Sequence, residues 1–295
     1  MGGGTDLLAT IELGLANAAG VVDVRSLAEL QGISTSENGA LRIGSACVLA
    51  DIATNAAVLH DFSLLAKVCA SVGTSSVRAT STIGGSLAQR PQCSVFRRRV
   101  PCLKNGGSSC PAHDDDNAHL AILEGGPCWM VCPSEPAVAL VALDADIEIS
   151  GAESVRMVRA ADFFVLPTAR LHGETVLGAG ELITGVLIPA VARGGLQHYA
   201  RHARNGSDIF DFVSLAAVRR ADGEVLIVLG GVSPRPYRVY TSVEEEAMSG
   251  GLDEDAIAGL AERALLDAEP LSLNGEKIEL AESLLRDAIM LIAAG

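Results

Sequence analysis

The residues most able to do chemistry lie between positions 82 and 136 of this 295-residue chain. The stretch opens on a glycine turn, Thr82-Ile83-Gly84-Gly85-Ser86, and holds five of the seven cysteines. Those five are Cys93, Cys102, Cys110, Cys128 and Cys132. Clustered thiolates bind zinc or iron–sulfur centres, and a glycine turn lets the backbone approach a phosphate closely. The sequence therefore predicts a cofactor protein whose cofactors lie near each other.

The spacing of these cysteines matches no general metal-binding motif. Structural zinc uses pairs about two to four residues apart, and only Cys128 and Cys132 are that close. Two interpretations stay open: a metal centre, or free loop cysteines in a reducing compartment. The turn sequence at 104–109 favours the metal centre, because it permits sharp reversals and offers N–H donors to cluster sulfur. Cys47 and Cys69 stand among apolar residues and are expected to be packed thiols.

Other polar residues in the same stretch receive simpler interpretations. His113 and His119 flank an acidic run at 114–116, which predicts a solvated loop rather than metal ligands. The basic run Arg97-Arg98-Arg99 is interpreted first as a solvated loop face. The alternative is a docking or redox-tuning patch beside the metal centre.

The composition excludes several classes of protein. A net charge of −14 argues against binding a nucleic-acid backbone, and 3% aromatic residues leave no platform for stacking bases. With 49% hydrophobic residues the chain is globular and long enough for two domains. No apolar run approaches the roughly 18–20 residues of a membrane helix, and no signal peptide is visible. An odd cysteine count without an export signal favours reduced thiols.

The apolar pattern predicts the elements that position these residues. A glycine turn at 2–6 enters a helix from 7 to about 19. Further predictions are strands at 21–24, 41–44 and 182–188, helices at 49–56 and 64–72, and at 137–149 a buried helix or strand passing into an edge strand. After a linker at 190–195, paired strands at 212–218 and 224–229 precede amphipathic helices at 252–268 and 277–294, the first capped by Asp253. The last third is thus a second α+β unit.

Two glycine motifs carry a resemblance to a known family. They are Gly2-Gly3-Gly4-Thr5-Asp6-Leu7-Leu8 and Ala79-Thr80-Ser81-Thr82-Ile83-Gly84-Gly85-Ser86-Leu87. Leu41-Arg42-Ile43-Gly44, Pro133-Ser134-Glu135 and Gly230-Gly231-Val232 follow in the family's order. The chain resembles the FAD-binding subunit of the molybdenum hydroxylases, the xanthine dehydrogenase and aldehyde oxidase family. The resemblance implies an α+β fold with a two-part FAD-binding domain of the vanillyl-alcohol oxidase/PCMH type at 1–189 and a small α+β domain at 190–295.

Residues at about 90–132 resemble an inserted loop that binds a [4Fe–4S] cluster in one branch of the family. That branch contains the flavin subunits of 4-hydroxybenzoyl-CoA reductase and periplasmic aldehyde oxidoreductase. The resemblance implies four cluster ligands: Cys93, Cys102, Cys110 and Cys128. Cys132 stands where relatives commonly have another residue and is left out of the ligand set.

The resemblance also implies the FAD contacts. Pyrophosphate would bind the first turn, through Gly2, Gly3, Gly4, Thr5 and Asp6. The pyrophosphate and ribityl side would contact the second turn, through Thr82, Ile83, Gly84, Gly85 and Ser86. Glu135 would bond the flavin chain, and Leu182 or its neighbours would pack on the ring system.

The sequence departs from the family pattern at four places. Ser86 replaces the usual Asn, and Glu135 replaces the usual Asp. Relatives have a strand and a helix before the first glycine turn, whereas Met1 precedes it directly here. The segment at 201–210 is slightly longer than in relatives, with Arg201 where Lys is common.

The implied function is electron transfer by an oxidoreductase subunit, with no catalytic side chain of its own, because FAD carries the chemistry. The implied partners are a molybdopterin-binding large subunit and a [2Fe–2S] small subunit in a heterotrimer. The expected compartment is the cytoplasm, or the periplasm if a partner carries the export signal. Two alternatives from other classes are a metal-binding structural or regulatory module without redox turnover and a stand-alone FAD oxidase.

Overall fold

The computed structural model describes residues 1–203 and 212–294. The α-helices in this part are α1 Leu7–Glu12, α2 Leu49–Thr54, α3 Ala56–Asp61, α4 Ser63–Ser71, α5 Ser75–Arg78, α6 Ile83–Leu87, α7 Ser94–Arg97, α8 Glu135–Ala142, α9 Ala160–Phe163, α10 Thr241–Ala247, α11 Glu254–Ala264 and α12 Glu276–Ala294. The strands are β1 Ile33–Thr35, β2 Leu41–Gly44, β3 Asp146–Ser150, β4 Val155–Arg159, β5 Leu182–Ile188, β6 Leu196–His202, β7 Val213–Arg219, β8 Val225–Gly230 and β9 Tyr237–Arg238. Most of the predicted segment at 201–210 lies outside the described residues.

The first sheet is antiparallel throughout, with strand order β1-β2-β5-β3-β4. Its central strand β5 pairs Ile188 with Leu41 of β2 and Leu187 with Asp146 of β3. The prediction of an edge strand at the end of 137–149 is therefore wrong, because β3 is covered on one side by β5 and on the other by β4. Inward-facing apolar residues of this sheet pack with α2, α4 and α8 in one core.

The start of the chain differs from its prediction. Helix α1 ends at Glu12 rather than near residue 19. Gly14 stops it: its φ is +65°, and the Leu15 amide turns back to the Thr10 carbonyl at 2.9 Å, closing the helix end. Residues 21–24 form no strand: Val21 and Val22 are exposed, and the backbone of this stretch bonds to Met1, whose carbonyl accepts from the Val24 amide at 3.1 Å and whose amino group donates to the Val22 carbonyl.

The second sheet, β6-β7-β8-β9, is antiparallel and buried on both faces. One face, with Ala216, Val218 and Val228, joins the core of the first sheet. The other, with Leu215 and Ile227, packs against α10, α11 and α12 in a second core. This double burial explains why β7 and β8 are almost uniformly apolar instead of alternating. The two sheets and their helices confirm the predicted α+β class.

The stretch at 90–132, here called the cysteine segment, contains little regular structure. Its α-helix is the single turn α7. Backbone hydrogen bonds connect the segment's C-terminal part to the chain just after β8. The amides of Ile122 and Leu123 donate to the Val232 carbonyl at 2.9 and 3.0 Å. Lys277 of α12 is fully buried, and its Nζ donates to the Leu120 and Gly231 carbonyls at 2.9 and 2.6 Å. The segment is thus held between the two halves of the molecule.

Across the described residues, none of the helices combines the length and apolarity needed to span a lipid bilayer. The compartment expected from the sequence stays a prediction.

Candidate functional site

The two glycine turns lie against each other, although about 80 residues separate them in sequence. A Cβ on Gly3 would stand 1.9 Å from the Thr80 carbonyl oxygen, and one on Gly2 would stand 2.3 Å from Thr82 Oγ1. No side chain fits at such distances, so the contact requires glycine. Thr5 Oγ1 and the Ser81 hydroxyl share a hydrogen bond of 2.8 Å across the same contact. The structure therefore brings together the two motifs that the resemblance pairs.

The first turn, residues 2–6, presents backbone donors that are not used by the protein. Within the described part of the chain, the amide N–H groups of residues 2–5 make no hydrogen bond to a protein acceptor. Gly4 has a φ of +74°, which reverses the chain just before α1. Consecutive amides without partners in a glycine turn form a cradle for an anion such as pyrophosphate. The donor set fits the group that the resemblance implies.

The second turn, residues 82–86, uses most of its backbone donors within the protein. The amides of Ile83 and Gly84 donate to the Cys47 and Ser45 carbonyls at 3.0 and 2.9 Å. Thr82 caps α6, and its Oγ1 accepts from the Gly85 amide at 3.1 Å. A Cβ on Gly84 would lie 2.8 Å from the Ser45 Cβ, so this glycine keeps the turn tight against Ser45. The amides of residues 83–86 are therefore paired within the protein, so this turn offers a ligand fewer backbone donors than the first.

A cavity of about 390 Å³ opens between the two turns. Its lining includes all five predicted residues of the first turn, together with Thr82, Gly84, Gly85 and Leu182. Leu182 begins β5 and is 38% exposed, so an apolar surface faces the ligand space. Ile83 does not line this cavity: its side chain is fully buried in the core beneath α6. The cavity lining ranges from unpaired backbone amides at the first turn to the apolar side chain of Leu182. This combination suits a cofactor that carries both a phosphate and an aromatic ring.

Ser86 and Glu135 lie deeper. Both line a neighbouring cavity of about 190 Å³, which shares Thr5, Asp6 and Gly85 with the larger one. The Ser86 hydroxyl is hydrogen-bonded to the buried Ser134 hydroxyl at 3.1 Å. Glu135 is 7% exposed and starts α8. A third cavity, of about 140 Å³, shares Glu135 with the second and reaches Cys93. Neighbouring cavities with shared lining residues therefore lie between the glycine turns and the cysteine segment.

The four predicted cluster ligands influence one another electrostatically. Burial raises the pKa of the Cys93 thiol, and the thiols of Cys110 and Cys102 raise it further. Burial likewise raises the pKa of Cys128 to about 11, with added repulsion from Cys110 and Cys93. Each of these two thiols is thus close enough to two other cysteines for their charges to act on its pKa. Bound iron would reverse these shifts, because metal coordination deprotonates a thiol.

Cys132 differs from these four. Burial raises its pKa to about 12, and the charged groups that act on it are Glu135 and Glu174, not another cysteine. Among the residues that the structure describes, no group of three or more His, Cys, Asp or Glu side chains is arranged to hold a single metal ion. An arrangement of thiols around one ion, as in structural zinc, is thus not present there.

The two histidines of the segment make other contacts. His113 Nδ1 lies 2.6 Å from the Asp114 carboxylate, and its ring packs on Trp129. The His119 ring lies edge-on to Phe212 and lines the cavity that Cys93 also lines.

The interpretation of the basic run as a solvated face is wrong for Arg97. Its side chain is 15% exposed and forms an ion pair of 2.6 Å with Asp6 of the first glycine turn. Arg98 and Arg99 are exposed, as expected. A long-range pair between residues 91 apart leaves no trace in a local charge pattern.

Buried charges hold the rest of the cysteine segment. Lys104 is 2% exposed, and its Nζ donates to Glu174 at 2.9 Å and to the Leu171 carbonyl. Glu174 also pairs with Arg90 at 3.0 Å. The sequence interpretation missed these residues and the cavity-lining Ser45, Gln89 and Gln92. Gln89 and Arg90 come two and three residues after the second glycine motif, and this nearness to the motif was the available signal.

Taken together, a donor-rich glycine turn, a second turn closing over it and an adjoining apolar strand end define a flavin-nucleotide-binding protein. The family described as the FAD binding domain in molybdopterin dehydrogenase matches residues 1–191. The chain belongs to this family of FAD-binding subunits in the molybdenum hydroxylases, and it is an oxidoreductase subunit.

Relatives extend the match beyond that domain. The chain is 32% identical to the aldehyde oxidoreductase FAD-binding subunit PaoB of Escherichia coli (strain K12), covering 97% of this chain and 89% of the relative. It is 26% identical to the glyceraldehyde dehydrogenase medium chain of Sulfolobus acidocaldarius, covering 92% and 81%.

Solved structures share the fold along the whole chain. Quinoline 2-oxidoreductase from Pseudomonas putida 86 superposes with a TM-score of 0.73 at 25% identity, covering 100% of this chain and 89% of that one. A chain of carbon monoxide dehydrogenase from Hydrogenophaga pseudoflava gives 0.72 at 22% identity, with coverage of 100% and 88%, and shows the fold alone.

Proposed function

We propose that this chain is the FAD-binding electron-transfer subunit of a multi-subunit, molybdenum-dependent oxidoreductase of the xanthine and aldehyde dehydrogenase type. The observation that carries the proposal is the first glycine turn, whose amides have no protein acceptor in the described residues and line the 390 Å³ cavity. Electrons would arrive from [2Fe–2S] clusters on one partner and ultimately from a molybdopterin-binding partner. An external acceptor would take them from this subunit. The relatives' names, FAD-binding subunit and medium chain, support membership in such an assembly.

Each residue of the site has a proposed role. Gly2, Gly3, Gly4, Thr5 and Asp6 would hold the pyrophosphate and fix its end of the cavity. Thr82, Ile83, Gly84, Gly85 and Ser86 would form the opposite wall, with Ile83 acting through the core that supports the turn. Glu135 would bond the flavin chain, and Leu182 would pack on the ring. Bound FAD supplies the electron-carrying chemistry, and these residues orient it and exclude water.

We further propose that the cysteine segment binds one [4Fe–4S] cluster through Cys93, Cys102, Cys110 and Cys128. The mutual repulsion of their thiols supports this set, and the different surroundings of Cys132 support its exclusion. The third cavity, which reaches from Glu135 to Cys93, supports a short route between cluster and flavin. Residues 1–189 and 190–295 remain the proposed domains, and the connection between the sheets, from Ile188 to Leu196, supports that boundary.

The composition of the purified chain tests the function. Flavin absorption with a broad shoulder in the visible blue, FAD near one equivalent and about four iron atoms per chain are expected. A colourless protein carrying stoichiometric zinc would overturn the proposal in favour of a structural metal module. Substrate turnover by the chain without partner subunits would instead point to a stand-alone FAD oxidase.

A pair of cysteine variants tests the ligand set. Cys102→Ser is expected to lose the iron and keep FAD, because the alcohol is a poor ligand for iron in such clusters. Cys132→Ser, changed in the same way at a partly buried position, is expected to keep both. Iron retained in Cys102→Ser, or lost in Cys132→Ser alone, would refute the ligand set without touching the FAD proposal.

A further inference from the structure

Asp6 links the first glycine turn to the cysteine segment. It is the last residue of the turn, and all the hydrogen bonds found for its carboxylate come from residues 90–97. The Arg90 amide donates to Oδ2 at 2.8 Å, and Gln92 Nε2 donates to Oδ1 at 3.2 Å. Arg97 Nη2 donates to Oδ1 at 2.6 Å. The Asp6 side chain is 18% exposed, so water screens this contact little.

Arg97 is fixed on every side of its guanidinium. Its Nε donates to the Pro91 carbonyl at 2.7 Å, and Nη2 donates also to the Arg90 carbonyl at 2.9 Å. Its Nη1 reaches Thr10 of α1 at 3.2 Å. A planar fork with several donors holds its partners in one geometry, which a flexible ammonium does not. Arg97 therefore joins three pieces of chain: the first turn, α1 and the start of the cysteine segment.

The other end of α7 carries a proposed cluster ligand. Cys93 directly precedes this four-residue helix, and its carbonyl accepts from the Arg97 amide at 2.9 Å. Because one helical turn separates the two residues, fixing the Arg97 side chain on Asp6 also fixes where Cys93 stands. Cys93 in turn lines the cavity that it shares with Gln92 and Glu135.

We propose that Arg97 is a positioning residue that couples the two cofactor sites, so that FAD in the first glycine turn and the cluster at Cys93 strengthen each other's binding through the Asp6–Arg97 ion pair. The inference rests on the proposed function, since it needs both cofactors. A bound pyrophosphate fixes the first turn and with it Asp6, and a bound cluster fixes Cys93 and with it Arg97. Because the ion pair and α7 hold Asp6 and Cys93 in one arrangement, a cofactor that stabilises the position of either residue also stabilises that of the other, and the second cofactor binds more tightly.

The test measures FAD affinity of the full chain with the cluster intact and after anaerobic removal of iron by a chelator. In the wild type the dissociation constant is expected to rise on iron removal by a factor within about 5–150, the usual range of such coupling. In Arg97→Met the two constants are expected to agree. Arg97→Lys keeps the charge and loses the fork, so an intermediate factor is expected. By reciprocity, added FAD should slow iron loss in the wild type and not in Arg97→Met.

Arg98→Met is the matched control. Arg98 is the next residue, caps the end of α7 and is exposed, so its loss removes the same charge from an adjacent position. It is expected to keep the wild-type factor, whereas a purely electrostatic effect of the basic run would reduce it equally in both variants. Should Arg97→Met fail to fold, Arg97→Gln and Arg98→Gln are compared instead, with thermal unfolding recorded for each.

The outcomes separate the two levels of the proposal. Wild-type protein that binds both cofactors with equal FAD affinity before and after iron removal would overturn the coupling alone. So would an Arg97→Met variant with the full wild-type factor, or an Arg98→Met variant that loses it. Wild-type protein that binds no FAD or no cluster would overturn the proposed function as well.

Discussion

The glycine turns and the cysteine segment solve the same problem, holding a cofactor, by opposite means. The turns lie on a scaffold of paired strands and helices, and they work because side chains are missing at Gly2, Gly3 and Gly4. The cysteine segment has one helical turn and depends on side chains: buried charges at Lys104 and Arg97, and thiols gathered from distant positions. Backbone recognition needs a rigid frame, whereas side-chain recognition can be assembled from loops whose polar groups are fully paired.

We expect the largest effect on stability when one member of the buried ion pair that holds the cysteine segment, Lys104 and Glu174, is neutralised. Glu174→Gln leaves the Lys104 ammonium, which is 2% exposed, without a carboxylate. Breaking such a pair from one side costs about 3–5 kcal/mol, to be measured by urea unfolding. The control is Glu246→Gln, whose partner Arg263 lies on the surface with both side chains about half exposed; it should change stability little. Equal losses of stability in the two variants would show that the cysteine segment does not depend on this buried ion pair more than on an exposed one.

FAD binding at the glycine turns should weaken when a side chain is added to one of the glycines. Gly3→Ala places a Cβ 1.9 Å from the Thr80 carbonyl, so the two turns must separate. A loss of about 2 kcal/mol in FAD binding is expected, which flavin fluorescence titrations would show as a roughly 30-fold larger dissociation constant. Gly20→Ala, where nothing lies within 4 Å of the new Cβ, should bind FAD as the wild type does. Unchanged affinity in Gly3→Ala would mean that the turns need not touch for FAD to bind.

The smallest effect is expected from a charge in the sheet behind the glycine turns. A hydrogen bond from Thr184 at 2.6 Å, and then one from Arg42, hold the pKa of Glu148 below its usual value. A carboxylate with a lowered folded pKa stabilises above its unfolded pKa near 4.5, and that stability is lost as pH falls through the folded pKa. Because Glu148 is partly exposed, Glu148→Gln should cost below about 1 kcal/mol at pH 7.

The measurement for Glu148 is thermal unfolding between pH 7 and pH 3. The difference between wild type and Glu148→Gln should shrink below pH 4.5, since protonation removes the same charge. Glu153→Gln, exposed in the turn between β3 and β4, serves as the control and should follow the wild type throughout. A loss for Glu148→Gln as large as that for Glu174→Gln would show that the sheet, too, depends on ionic contacts.

Much of the scaffold could be predicted because its signals are local. Alternation and apolar runs located β2, β5, β7 and β8, and three- and four-residue steps located α4, α11 and α12. Asp253 caps α11 as predicted, accepting from the Ala256 amide at 2.8 Å. The prediction of a strand at 21–24 was wrong because β propensity alone does not supply a neighbouring strand to pair with.

The candidate site was predictable in its parts and not in its connections. The glycine motifs stood out because glycine, which has no Cβ, allows two backbones to approach closely and readily adopts a positive φ such as the +74° of Gly4. The role of Arg97 was missed because its partners, Asp6 and Thr10, precede it by 91 and 87 residues. Nothing in the run of three arginines marks which one turns inward.

The sequence by itself thus determined the types of group available: two glycine turns, a set of cysteines, and the strands and helices that carry them. Local backbone preference and apolar periodicity are written into neighbouring residues, so they can be interpreted without a structure. Only the tertiary structure decided that the amides of the first turn have no acceptor in the described protein while those of residues 83–86 in the second are paired, and that Asp6 meets Arg97. Those features depend on how distant pieces of chain pack, because a hydrogen bond forms only where donor and acceptor come within about 3 Å.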